Sequence, residues 1–103
     1  MNTIAIAHTT VPVREYEVTT RVTGEDVGGV EFAGPGLIVE SLLGRYILDR
    51  DARQVWFRID GRRSAQEVVE TVAVATGRSI DEVRVPVLAC LDRLRDLALI
   101  RYE

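Results

Sequence analysis

The sequence predicts an α+β domain: a small antiparallel sheet of about three strands followed by three helices. Three observations carry that expectation. Tyr16 to Val22 alternates with period two and is rich in β-branched residues. Two short apolar runs, Leu37 to Glu40 and Arg45 to Leu48, flank a turn at Ser41 to Gly44. Beyond Asp49, three apolar stripes at helical spacing are each opened by a capping residue and closed by a break.

Residues 1–15 read as a loose N-terminal arm containing Pro12, with a short strand at Thr3 to Ala7. Residues 16–103 read as one folded module. In the first strand Tyr16, Val18, Thr20 and Val22 share one face, and Glu17, Thr19 and Arg21 the other. Thr23 to Gly29 is turn-rich, Val30 to Ala33 has strand character, and Gly34-Pro35-Gly36 breaks the chain. The runs on either side of Ser41 to Gly44 then form a hairpin.

Asp51 and Gln54 read as a capping box opening the first helix, with Ala52, Val55, Trp56 and Ile59 as its apolar stripe and Asp60-Gly61 as its end. Ser64 and Glu67 open the second helix, which carries Val68, Val69, Val72 and Ala75 inward and stops at Gly77. Ser79 and Glu82 open the third, with Val83, Val87, Leu91, Leu94 and Ala98 at near-heptad spacing. Pro86 lies inside it. Proline lacks an N–H and clashes with the carbonyl four residues back, which predicts a kink or a late start. Ile100 to Tyr102 reads as a short extended tail. A small sheet followed by three helices can form a winged helix-turn-helix, and that arrangement is the expected fold.

Composition narrows the function. The chain has 103 residues, one domain's worth, and a formal charge of -3. That charge weighs against non-specific DNA binding, which needs a basic face. All 13 basic residues are arginines, which excludes a P-loop lysine or a Schiff-base lysine. With one cysteine, Cys90, and one histidine, His8, the chain has neither an internal disulfide nor a Cys/His zinc site. No apolar run reaches membrane-spanning length, and the first residues lack signal-peptide features; a cytoplasmic location is expected.

The candidate reactive groups have structural readings. Asp49, Asp51 and Asp60 are close in sequence, but capping and turn formation account for each. His8 has no acidic or nucleophilic neighbour in sequence. Cys90 and Trp56 fall on apolar stripes and read as core. For nucleic acid, Arg58, Arg62 and Arg63 cluster, yet Asp81, Glu82, Asp92 and Asp96 outnumber Arg84, Arg93 and Arg95 on the last helix. A recognition helix should not carry net negative charge. An exposed strand beside a helix can accept an added strand from a peptide, and Arg45 to Asp49 beside the last helix suits this; an ordinary capped edge strand fits the same residues.

The run RYILDRDARQVWFRIDGRRSAQEVVETVA resembles the PqqD-like family, also called RiPP recognition elements: small winged-helix domains that bind the leader of a ribosomally made precursor peptide. The matching pattern is a strand ending in Leu48, a polar capping segment, Val55-Trp56, then Ile59-Asp60-Gly61, a Ser-led second helix, and a last helix whose Val87, Leu91 and Leu94 precede Leu99-Ile100. It covers residues 36–100. Cys90 stands where the family usually has an aromatic, Pro86 where it has an acid, and Ala98 where it has a glycine. The resemblance implies that a leader adds as a strand along Arg45, Tyr46, Ile47, Leu48 and Asp49. The leader would then face Arg84, Val87, Leu88, Leu91 and Arg95 of the last helix.

The expected function follows from that resemblance. The chain binds a precursor leader peptide and presents it to a partner maturation enzyme, in lasso-peptide biosynthesis with a leader peptidase. The alternatives are a radical SAM partner as in PQQ-type pathways, or a winged-helix DNA-binding regulator. No chemistry of its own, no cofactor, no metal, no nucleic acid and no membrane partner are expected.

Overall fold

The computed structural model describes residues 9–22 and 37–103. The expected strands at Thr3 to Ala7 and Val30 to Ala33, and His8, lie outside them. The elements run in the order β1 (Pro12–Arg14), β2 (Thr19–Val22), β3 (Leu37–Ser41), β4 (Gly44–Leu48), α1 (Arg50–Trp56), α2 (Ala65–Thr76), α3 (Ile80–Asp96) and β5 (Ile100–Tyr102). The fold is α+β. Strands β2, β3 and β4 form an antiparallel sheet in sequence order, and the three helices follow. This order is compatible with the winged-helix arrangement.

The hairpin registers itself through a two-residue turn. Ser41 pairs Gly44, Val39 pairs Tyr46 and Leu37 pairs Leu48. One face of β3 is sealed: Leu37 and Val39 are fully buried. They meet Trp56, Val68, Val69, Leu91 and Leu99 in a single core drawn from the sheet and all three helices. Leu94 and Val72 join it, as the helical periodicity predicts.

The capping boxes at Ser64–Glu67 and Ser79–Glu82 form as predicted, with each serine accepting from the glutamate N–H and each glutamate accepting in return. Gly77 ends α2 in the left-handed region, at φ 69°. The end of α3 has the same geometry on a different residue. Leu99 N–H donates to Leu94 C=O and Ala98 N–H to Arg95 C=O, while Ala98 sits at φ 61°. That is a Schellman motif with alanine in the place glycine favours.

Four expectations are corrected. The cap of α1 is Asp49, not Asp51: Asp49 Oδ1 accepts from Ala52 N–H at 2.8 Å, and Asp51 lies in the first turn. The chain has two aspartates at the right distance, and the one following Leu48 is still extended, as a cap must be. Helix α1 ends at Trp56, so Ile59 is buried from the loop beyond it. Asp60 closes that loop, with Oδ1 accepting from the N–H groups of Arg62 and Arg63. These bonds hold its carboxyl below the usual range. Pro86 does not delay α3, which runs through it from Ile80; the proline leaves the Glu82 carbonyl without its helical donor.

The fourth correction concerns the N-terminal segment. Tyr16 is 92 % exposed and precedes β2, which begins only at Thr19. Pro12–Arg14, read as the end of a loose arm, instead pairs antiparallel with β5. The tail at Ile100 to Tyr102 supplies a second strand edge that no local pattern announces. Arg14 fixes the contact: its guanidinium stacks 4.4 Å from the Trp56 ring centroid, and Nη2 donates to Trp56 C=O at 2.7 Å. From the other side Trp56 Nε1 donates to Thr20 Oγ1 at 3.0 Å.

Candidate functional site

Strand β4 is an edge. Its turn closes on the Ser41–Gly44 pair, so Gly44, Tyr46 and Leu48 exchange main-chain bonds with β3. Alternation then directs the N–H and C=O groups of Arg45 and Ile47 away from β3, toward the open side of the sheet. Side chains alternate too: Leu48 is buried and Tyr46 packs against the core, while Arg45 and Ile47 are exposed. Across the ladder, Arg45 lies 3.6 Å from Glu40, a solvated pair of little energetic weight.

A cleft of about 450 Å³ lies along that edge. One wall is Tyr46, Ile47, Leu48 and Asp49, continued by Asp51, Ala52 and Val55 of α1. The opposite wall is α3, through Pro86, Val87, Ala89, Cys90 and Arg93, with Leu97 just beyond it, and Val72 and Thr76 of α2 add to the lining. The lining is mostly apolar with charges near its mouth, the character of a site that takes an apolar ligand and orients it through a few polar groups.

The structure brings together the predicted strand Arg45–Asp49 and Val87, with Arg45 lying on the edge itself. The rest of the predicted helix face points elsewhere. Arg84 turns toward α2 and donates to Gln66 Oε1 at 2.9 Å. Leu88 packs part-buried against the core. Leu91 is fully buried inside it. Arg95 lies over the Tyr102 ring, 5.3 Å from its centroid. The cleft face is instead the row 86, 89, 90, 93 and 97, spaced by three and four residues. Its signal in the sequence is small: Pro86, Ala89 and Cys90 are compact residues that line the cleft.

Cys90 was expected in the core and sits at its border, part-buried and lining the cleft. Burial pushes its thiol up to about 11, with Asp49 and Asp51 adding to the shift and Arg93 opposing it. Such a thiol is protonated at neutral pH. Asp49 is committed to capping α1. Among the described residues no group of three or more His, Cys, Asp or Glu side chains could hold a metal ion. No helix among them is long and apolar enough to cross a membrane. Among the described residues the cleft assembles no nucleophile–base pair.

Comparison with curated proteins and with solved structures gave no significant match. Comparison with protein families did: the chain matches the family described as Coenzyme PQQ synthesis protein D (PqqD) over residues 36–100. That stretch begins just before β3, ends at the first residue of β5 and contains both walls of the cleft. With more than half of its length matched, from β3 to the start of β5, the chain belongs to the PqqD family.

Proposed function

We propose that this chain binds the leader segment of a ribosomally made precursor peptide in the cleft between β4 and α3, and presents it to a maturation enzyme. Membership in the PqqD family implies a precursor-peptide-binding, non-catalytic partner of such an enzyme. The observation that carries the reading is the open edge of β4 lying flush with a mostly apolar cleft, inside the family-matched stretch. The leader adds antiparallel to β4. Arg45 and Ile47 supply main-chain bonds that tolerate many sequences, and leader side chains on the Tyr46–Leu48 face enter the cleft and supply selectivity.

The finer reading is lasso-peptide maturation, with a leader-cleaving cysteine protease as the partner; a radical SAM enzyme is the alternative. Titration of the leader peptide encoded with this chain, against duplex DNA at physiological salt, tests the class: leader binding without DNA binding is expected. DNA binding without leader binding would instead make the protein a winged-helix regulator. The partner enzyme whose rate rises on adding the protein then separates the two pathways.

A further inference from the structure

The tip of the β3–β4 hairpin breaks two rules at once. Tight hairpin turns favour Gly, Asn or Asp, and solvent-exposed tips favour polar groups. This tip is Leu42-Leu43, exposed to 81 % and 75 %. Neither leucine has a positive φ, so the turn is not one of the primed types that would dictate particular residues. Its polar need is met by Ser41, whose Oγ accepts from Leu43 N–H at 3.1 Å. Backbone geometry therefore does not demand leucine here, and burial among the described residues does not reward it.

The tip is part of a larger surface. Tyr16, exposed to 92 %, and Val18 share a shallow hollow of about 370 Å³ with Leu42, Leu43 and Ala98. Glu17 stands at its rim, and so does Glu15, which is held by Arg101 at 2.8 Å. Three large exposed apolar side chains, Tyr16, Leu42 and Leu43, gathered around this hollow form a patch of the kind that marks a protein contact.

The polarity of strand addition identifies what covers it. A chain antiparallel to β4 enters beside Leu48 and leaves beside Gly44. Its C-terminal continuation, the part of a precursor that is processed, therefore emerges next to Leu42 and Leu43. Any enzyme acting on that continuation must stand at this end of the molecule. We propose that the Leu42–Leu43 tip and Tyr16 form the docking surface for the maturation enzyme, which meets them with an apolar patch carrying a basic residue opposite Glu17. This inference rests on the leader-binding reading of the cleft, and its test keeps the two apart.

The test uses the full chain carrying Leu42→Ser and Leu43→Ser together. A second variant, Val74→Ser, removes an equally exposed apolar side chain (85 %) from α2 as a control. Binding of the leader peptide encoded with this chain, and its processing by the maturation enzyme encoded with it, are measured for each. The double variant is expected to melt like the wild type and to bind leader within about twofold. Its stimulation of processing should fall at least tenfold at limiting protein, while Val74→Ser behaves as wild type. Full stimulation by the double variant would overturn the proposal. So would a wild-type dimer that the double substitution converts to monomer without loss of processing, because the tip would then be a self-contact. Failure of the wild type itself to bind leader would defeat the reading of the cleft instead.

Discussion

Ala98 illustrates how one residue can carry a cost that its neighbours impose. It occupies the left-handed position of a Schellman motif that Gly77 fills at the end of α2. An L-residue there is strained by roughly 1–2 kcal/mol, and glycine's greater freedom in the unfolded chain offsets part of the relief. Ala98→Gly should therefore stabilise the protein by about 0.5–1 kcal/mol, read as a raised urea midpoint with an unchanged slope. Gly77→Ala should do the opposite, since its φ of 69° is equally left-handed. Cys90 shows the other side of residue-level reasoning. Its place on an apolar stripe predicts burial, but the stripe borders a cleft, so the thiol is only part-buried there and is kept protonated by its surroundings.

Among the elements, β4 carries the functional claim. The N–H of Ile47 points away from β3, whereas that of Tyr46 points toward it. Ile47→Pro should thus remove a donor from the open edge without removing a ladder bond. It should cost stability of about 1 kcal/mol, the span of strand propensity, while weakening leader binding about tenfold or more. Tyr46→Pro should unfold the hairpin instead. Circular dichroism melts combined with calorimetric titration distinguish these outcomes, and leader binding undiminished by Ile47→Pro would argue against strand addition.

The elements differed in how far they could be read from sequence. The hairpin, α2 and α3 were legible because their signals are local: alternation, reciprocal Ser–Glu caps and a stop at Gly77. The cap of α1 was misplaced because Asp49 and Asp51 are chemically equivalent, and only the backbone path after Leu48 selects between them. The predicted face of α3 differs from the flank that lines the cleft, because periodicity locates the buried stripe, not which flank a neighbouring strand lies beside. Val87 lies near both, while Leu88 and Cys90 fall on opposite flanks.

Across the whole molecule, the described segment before β3 is built into the fold rather than appended to it. Strand β1 pairs β5, Ala65 N–H donates to Thr10 C=O, and Arg14 is stacked on the buried Trp56 that anchors α1. None of this could be read from local pattern, because the pairing joins residues nearly a chain length apart. Arg14→Ala should cost about 1–3 kcal/mol, combining the lost ring contact with the lost hydrogen bond to the Trp56 carbonyl, which keeps only Ile59 N–H as a donor. Deleting residues 1–15 should cost more, because β1 and the fully buried Pro12 go with it. Urea unfolding of the two variants against the full chain checks both statements. A deletion as stable as the full chain would show that residues 16–103 fold without β1.

The central claim is that an extended peptide lies between β4 and α3. It is tested most directly by mapping backbone amide shifts while the leader encoded with this chain is titrated into labelled protein. The largest changes are expected at residues 45–49, at Ala89, Cys90 and Arg93 of α3 and at Leu97 beyond it, with new protection from hydrogen exchange at Arg45 and Ile47. Changes centred on Arg58 to Arg63 and α2, with β4 unperturbed, would contradict it.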